Sequence, residues 1–169
     1  YNFDSYDKDT LTIGTDENVI NIYYTKRTDL SYKVNYLEKT TNKVLHNQKV
    51  VENMTFESVV NSVDEKIDIN GYNFDSYDKD TLTIGTGENV INIYYTKRND
   101  LSYTVNYLES VTNNVLHEPK TQYNMTYEDV VKAEDEVIDI TGYNYDYPDK
   151  YELVIGTDEN VLNIYYTKV

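Results

Sequence analysis

Cysteine and tryptophan are missing altogether from the 169 residues, proline occurs twice and glycine six times. Without cysteine there can be no disulfide, no thiolate nucleophile and no thiolate metal site. That absence does not by itself assign the chain to the cytosol. Positive charge is also scarce: 15 Lys and Arg stand against 30 Asp and Glu, a net charge of −15. Nucleic acid and anionic membrane both demand a basic face, so neither is expected as a partner. No apolar run approaches the roughly 18 residues that a bilayer span needs, so membrane insertion is not expected either. Histidine occurs only at His46 and His117. A catalytic or metal site needs several convergent groups, and one imidazole per stretch of this length points to a structural or exposed role. No enzyme activity, no cofactor and no catalytic residue are expected.

What is abundant is tyrosine, with 20 Tyr beside 3 Phe and an apolar content of 39%. That is enough apolar surface for folded domains rather than a disordered acidic tail. The chain also repeats itself. Tyr1-Asn2-Phe3-Asp4 returns as Tyr72-Asn73-Phe74-Asp75 and as Tyr143-Asn144-Tyr145-Asp146, a spacing of 71 each time. Residues 1–27 match 72–98 at every position except Asp16, which becomes Gly87. Repetition overrules the one-domain expectation from length. The polar segments Thr25–Asp29 and Thr96–Asp100 follow strand-like runs and read as linkers. The expected organisation is a partial repeat at 1–29, the C-terminal half with its linker, then full repeats at 30–100 and 101–169. The chain opens in mid-pattern and reads as a piece of something longer.

Within one repeat, Tyr32–Leu37 alternates with period two and is a strand signal. Val44–Val51 reads as its hairpin partner. Met54-Thr55-Phe56-Glu57-Ser58-Val59-Val60 carries helix-start chemistry: Thr55 can cap, Glu57 falls in the first turn, and Met54 and Val59 occupy staple positions. Short helices are therefore predicted at 55–64 and 126–135. Thr81–Ile84 and Asn89–Tyr95 read as a closing hairpin. The fold class expected is α+β, a small sheet with one short helix per repeat.

Three segments carry a family likeness. Tyr103-Thr104-Val105-Asn106-Tyr107-Leu108, the central Gly142-Tyr143 and the terminal run from Val161 to Lys168 resemble the MucBP (mucin-binding protein) repeat of Gram-positive bacterial surface proteins. The likeness extends over both full repeats and the partial one. It implies tandem β-grasp-like (ubiquitin-like) repeats, extracellular, in a cell-wall-anchored adhesin. It implies host mucin glycans or glycoproteins as partners, beside the neighbouring repeats of the same chain. A non-binding stalk that projects a distal adhesive domain is the alternative.

Two groups of residues are candidate sites. Tyr94-Tyr95 and Tyr165-Tyr166 are adjacent on strand-like runs, so one of each pair must face away from the core. An outward ring can lie against the apolar face of a sugar, or serve as an ordinary cross-strand partner. Asp75, Asp78 and Asp80 are the sharpest oxygen cluster and the calcium candidates. Their spacing departs from the alternation of a helix-loop-helix calcium loop, and a solvated turn is the favoured reading. The partial repeat raises a separate expectation. Its predicted hairpin, Thr10–Ile13 with Asn18–Tyr24, would expose Leu11, Ile13, Ile20 and Ile22, so something should cover it.

Overall fold

The computed structural model describes residues 1–169. The strands, in chain order, are β1 (Asn2–Tyr6), β2 (Ile22–Thr25), β3 (Leu30–Glu38), β4 (Val44–Met54), β5 (Val59–Asn61), β6 (Tyr72–Tyr77) and β7 (Thr81–Thr83). They continue as β8 (Val90–Lys97), β9 (Leu101–Glu109), β10 (Val115–Met125), β11 (Val130–Lys132), β12 (Tyr143–Pro148), β13 (Glu152–Val154) and β14 (Val161–Lys168). Packing divides the chain into two compact units, 1–67 with 74–95 and 68–73 with 96–169.

Residues 30–97 and 101–168 build the same arrangement. A four-stranded sheet runs β4-β3-β8-β6 in one and β10-β9-β14-β12 in the other. A two-stranded ribbon, β5-β7 or β11-β13, accompanies each sheet. The first and last strands of each repeat are central neighbours and run parallel, with Lys33↔Val90 through Glu38↔Tyr95 in register. The equivalent pairing in the second is Val161↔Thr104 through Tyr166↔Glu109. Both prolines, Pro119 and Pro148, fall on the edge strands β10 and β12, where a missing N–H is tolerated.

The expected α+β class is overturned. Strands take up 53% of the residues, and the only helical pieces are two four-residue 3-10 turns, Ser62–Glu65 and Ala133–Glu136. With no α-helix on the sheet, the β-grasp-like expectation falls too. The capping signals at 55–64 and 126–135 close a turn instead. Ser58 N–H donates to the Thr55 carbonyl at 3.0 Å, and Glu57 sits at φ 65°. A positive φ at the third turn position ends any right-handed helix there. The neighbouring amides leave for distant partners: Phe56 N–H to the Arg27 carbonyl and Glu57 N–H to the Ile84 carbonyl, each 2.8 Å. Asp129 does accept from the Thr126 N–H at 2.9 Å, so the capping pair forms without its helix. The β-branched Val59-Val60 and Val130-Val131 then enter strands, as their propensity favours.

The predicted closing hairpin is also absent as drawn. β7 pairs with β5, and β8 lies between β3 and β6 in the other sheet. Asn89 makes this change of sheet possible. Its amide donates to the carbonyls of Gly85 (3.0 Å), Gly87 (3.3 Å) and Ser31 (3.0 Å), and its oxygen accepts from Gly85 N–H at 2.8 Å. Asn160 repeats the set with Gly156, Asp158 and Ser102. Asn160→Ala is expected to lower the stability of 101–169 by about 2 kcal/mol, since several part-buried backbone groups lose their partner together. Urea denaturation checks this, with Asn18→Ala in the exposed partial repeat as a near-neutral control.

Tyrosine makes the core. Tyr103, Val105, Tyr107, Leu162, Ile164 and Tyr166 on the sheet pack with Val131, Leu153 and Ile155 from the ribbon side. The hydroxyls of Tyr32, Tyr95, Tyr103 and Tyr166 have partners, as burial requires. Tyr95 Oη donates to the Ile67 carbonyl at 2.9 Å and accepts from Ile67 N–H at 3.2 Å. Tyr166 does the same at Ile138, at 3.0 and 3.1 Å. The buried Glu65 carboxylate accepts from Tyr32 Oη at 2.8 Å and from Lys49 Nζ at 2.6 Å. Glu136 accepts from Tyr103 and Lys120 in the same way, at 2.7 and 2.6 Å. Tyr32 is pushed up to about 12 by burial and by its bond to Glu65. Burial also raises Tyr36, Tyr103, Tyr107 and Tyr166 above the ordinary phenol value.

Glycine is indispensable at one place. Gly71 has φ 80°, and a Cβ there would lie 2.4 Å from the Tyr127 ring. The Asp68–Asn73 turn therefore packs with the second unit, where the Gly71 carbonyl also accepts from Arg98 N–H at 3.0 Å.

Candidate functional site

The outer face of the β10-β9-β14-β12 sheet gathers the chemistry suited to recognition. Strand alternation puts Leu162, Ile164 and Tyr166 inside and turns Asn163, Tyr165 and Thr167 outward. On β12 a bulge between Tyr145 and Tyr147 changes the parity. Tyr145 stays on the core side, edge-on to Tyr166 with ring centroids 6.2 Å apart. Tyr147 is thrown to the outer side, opposite Tyr165. Those two rings stack, 4.9 Å between centroids and 25° between planes, and Tyr147 is 43% exposed.

Polar groups flank the stacked pair. Asn106 donates its amide to the Asn163 side-chain oxygen at 2.9 Å. The Asn163 backbone and side-chain amides both donate to the Asp149 carboxylate, at 3.0 and 2.9 Å. Thr167 Oγ1 donates to Asp146 at 2.8 Å. The arrangement is an aromatic platform beside fixed amides and carboxylates. It can hold a flat apolar surface with hydroxyls at its rim.

The sequence candidates divide. Tyr95 and Tyr166 are each 1% exposed and belong to the core, hydroxyls on backbone. Tyr94 and Tyr165 are half-buried on the outer faces. Around Tyr94 the setting differs, because Ser76 stands where Tyr147 does in the later repeat. There Lys39 pairs with Asp75 at 2.5 Å and holds its carboxyl below the usual range, with help from Ser76. Asp78 is held by the backbone and side-chain amides of Asn92, at 2.9 and 3.0 Å. Asp80 contributes its carbonyl to Ser62 N–H at 2.9 Å. Asp75, Asp78 and Asp80 thus serve separate contacts, and no three acidic or histidine side chains converge as a metal site. His46 and His117 lie exposed on their strands, edge-on to Tyr36 and Tyr107.

Tyr147 is the residue that sequence reasoning missed. By simple alternation Tyr143, Tyr145 and Tyr147 share a face, and only the bulge separates the last from the others.

No family model and no curated protein matches the chain. Among solved structures it is similar to domains 3–4 of the Streptococcal High Identity Repeats in Tandem (SHIRT) from a cell surface protein. That likeness is 12% identical with a TM-score of 0.32, covering 82% of this chain and 98% of that one. It is also similar to Mub-RV, at 13% identity and a TM-score of 0.30, covering 83% of this chain and 99% of that one.

Proposed function

We propose that this chain is a tandem-repeat region of an extracellular adhesin on a Gram-positive cell surface, anchored to the wall through the rest of its protein. Its modules are the partial repeat 1–29 and the full repeats 30–100 and 101–169. The ligand is a glycan, of mucin or another host glycoprotein, and no catalysis is involved. The observation that carries the reading is the exposed Tyr147–Tyr165 stack beside Asn163, Asp149 and Asp146. A sugar ring places its C–H face on such a stack and its hydroxyls on the carboxylates and amides. Tyr94, on the equivalent face of 30–98 without a stacked partner, is the weaker platform.

A glycan array and a mucin pull-down with the 1–169 chain test this. Tyr147→Ser restores the residue of the earlier repeats and is expected to abolish binding with the thermal midpoint unchanged. Binding that survives Tyr147→Ser would remove the stack from the role.

A stalk reading has its own support in contacts that recur at the repeat boundaries. In the first unit, Lys26 pairs with Glu57 at 3.0 Å and Tyr1 lies edge-on to Phe56. In the second unit, Lys97 pairs with Glu128 at 2.9 Å and Tyr72 lies edge-on to Tyr127. Glu57 and Glu128 hold positive φ, 65° and 67°, where glycine would be easier. Retaining a carboxylate at that backbone cost fits a fastening role. A folded chain that binds no glycan or mucin would favour the stalk.

A further inference from the structure

The outer sheet faces of the two full repeats differ in charge. At the spacing of 71, Lys33 becomes Thr104 and Lys39 becomes Ser110. Lys33 and Thr104 both alternate outward, on β3 and β9. Lys39 lies on Asp75 in a 2.5 Å ion pair, and Asp75 is half-buried. Its counterpart Asp146 is exposed and accepts one hydrogen bond, from Thr167 Oγ1 at 2.8 Å. Thr167 Oγ1 is in turn 3.4 Å from Ser110 Oγ. Ser110 thus stands one hydroxyl away from the carboxylate, at the position from which Lys39 neutralises Asp75.

The other charges around the stack are engaged. Asp149 accepts from both Asn163 amides, with Lys150 Nζ 3.6 Å away. That Nζ donates to the Val161 carbonyl at 2.7 Å. Glu109 takes the Thr112 hydroxyl. Lys168 follows Thr167 on β14 and alternates to the opposite side. Asp146, next in sequence to Tyr147, is left as the uncompensated charge at the rim of the Tyr147–Tyr165 platform.

We propose that this platform takes an uncharged glycan end and rejects sialylated or sulfated ones, with Asp146 making the distinction. The inference rests on the glycan reading of the stack and narrows it. A sugar hydroxyl at the rim donates to the Asp146 carboxylate. A sugar carboxylate or sulfate in the same place meets a like charge and finds no ammonium to offset it. The net charge of −15 opposes anionic ligands at longer range as well.

The test is an array of matched glycans, each uncharged chain printed beside the same chain capped with sialic acid or sulfate, probed with the 1–169 chain. The capped forms are expected to bind about tenfold more weakly or worse, the scale of one like-charge contact. Ser110→Lys rebuilds the pair seen at Lys39 and Asp75 and is expected to close that gap. The backbone accepts the lysine, since the Ser110 and Lys39 amides make the same bond, to the Tyr166 and Tyr95 carbonyls, at 2.9 Å. Ser110→Gln adds length without charge and should leave the gap open. Adding Tyr147→Ser to Ser110→Lys should erase the gained binding, which ties it to the stack and not to Lys33 and Lys39 of the earlier repeat. Capped glycans bound as tightly as their parents by the unaltered chain would overturn the proposal and leave the glycan reading standing. So would a gap that Ser110→Lys leaves open, that Ser110→Gln closes equally, or a gain that survives Tyr147→Ser. A chain that binds no glycan of either kind removes the glycan reading and this inference with it.

Discussion

Tyr166→Ala is expected to unfold residues 101–169 while the strands of the first unit keep their dispersed NMR spectrum. Truncating a buried aromatic costs about 3–5 kcal/mol. Here the lost hydroxyl also orphans the Ile138 N–H and carbonyl, for roughly another 1–3 kcal/mol. A disulfide-free repeat of this size sits near the low end of the usual 5–15 kcal/mol, so that loss takes most of its stability. Tyr166→Phe separates the two contributions: the ring stays, and only the smaller penalty should appear. A Tyr166→Ala chain with sharp, native-like resonances over 101–169 would contradict the core assignment.

Raising the pH should unfold the protein more abruptly than an ordinary acidic domain. Tyr32, Tyr36, Tyr103, Tyr107 and Tyr166 all have folded-state values raised above the free phenol. For such groups the neutral form belongs to the folded state. Their contribution is complete below the unfolded value of about 10 and is lost as the pH climbs through the folded one. For Tyr32, pushed up to about 12, that window runs from roughly pH 10 to pH 12. Phenolate absorbance and circular dichroism, followed together, should change in one cooperative step. Gradual ionisation with the sheet intact would mean that these hydroxyls are not held as described. The acid limb should be gentler, because the lowered carboxyls Asp29, Asp75 and Asp100 lie in exposed pairs with Arg27, Lys39 and Arg98.

How much of this was legible in the residues varies by element. The alternation of Leu30, Tyr32, Val34 and Tyr36 marks β3 unambiguously, because a strand buried on one face leaves a period-two record. The repeat spacing was equally plain. The 55–58 turn was not. Its cap, staple and acidic residues are local signals, whereas its amides are claimed by Arg27 and Ile84, remote in sequence. Pairing of β7 with β5 hides for the same reason: the Gly85–Asn89 loop resembles a hairpin turn until Asn89 reaches Ser31. At the candidate site, parity required only that one tyrosine of each adjacent pair face outward, and the burial pattern of the strands is what picks Tyr94 and Tyr165. Tyr147 depended on a bulge, which parity cannot foresee.

The parallel pairing of the first and last strands has a mechanical consequence. β3 begins a repeat and β8 ends it, and the two lie side by side with six residue pairs in register, Lys33↔Val90 to Glu38↔Tyr95. A pull on the two ends of the repeat drags these strands lengthwise past each other. The ladder is then loaded in shear, and its hydrogen bonds must fail together instead of opening one by one like a zipper. A chain tethered at one end and tugged at the other would meet its greatest resistance at this seam. In single-molecule stretching, each intact repeat should yield as a separate high-force event. Proline at Asn35 or Leu37, whose amides face β8 as those of Lys33 and Lys39 do, removes a rung of the seam and should lower that force far more than a change on the β5–β7 ribbon.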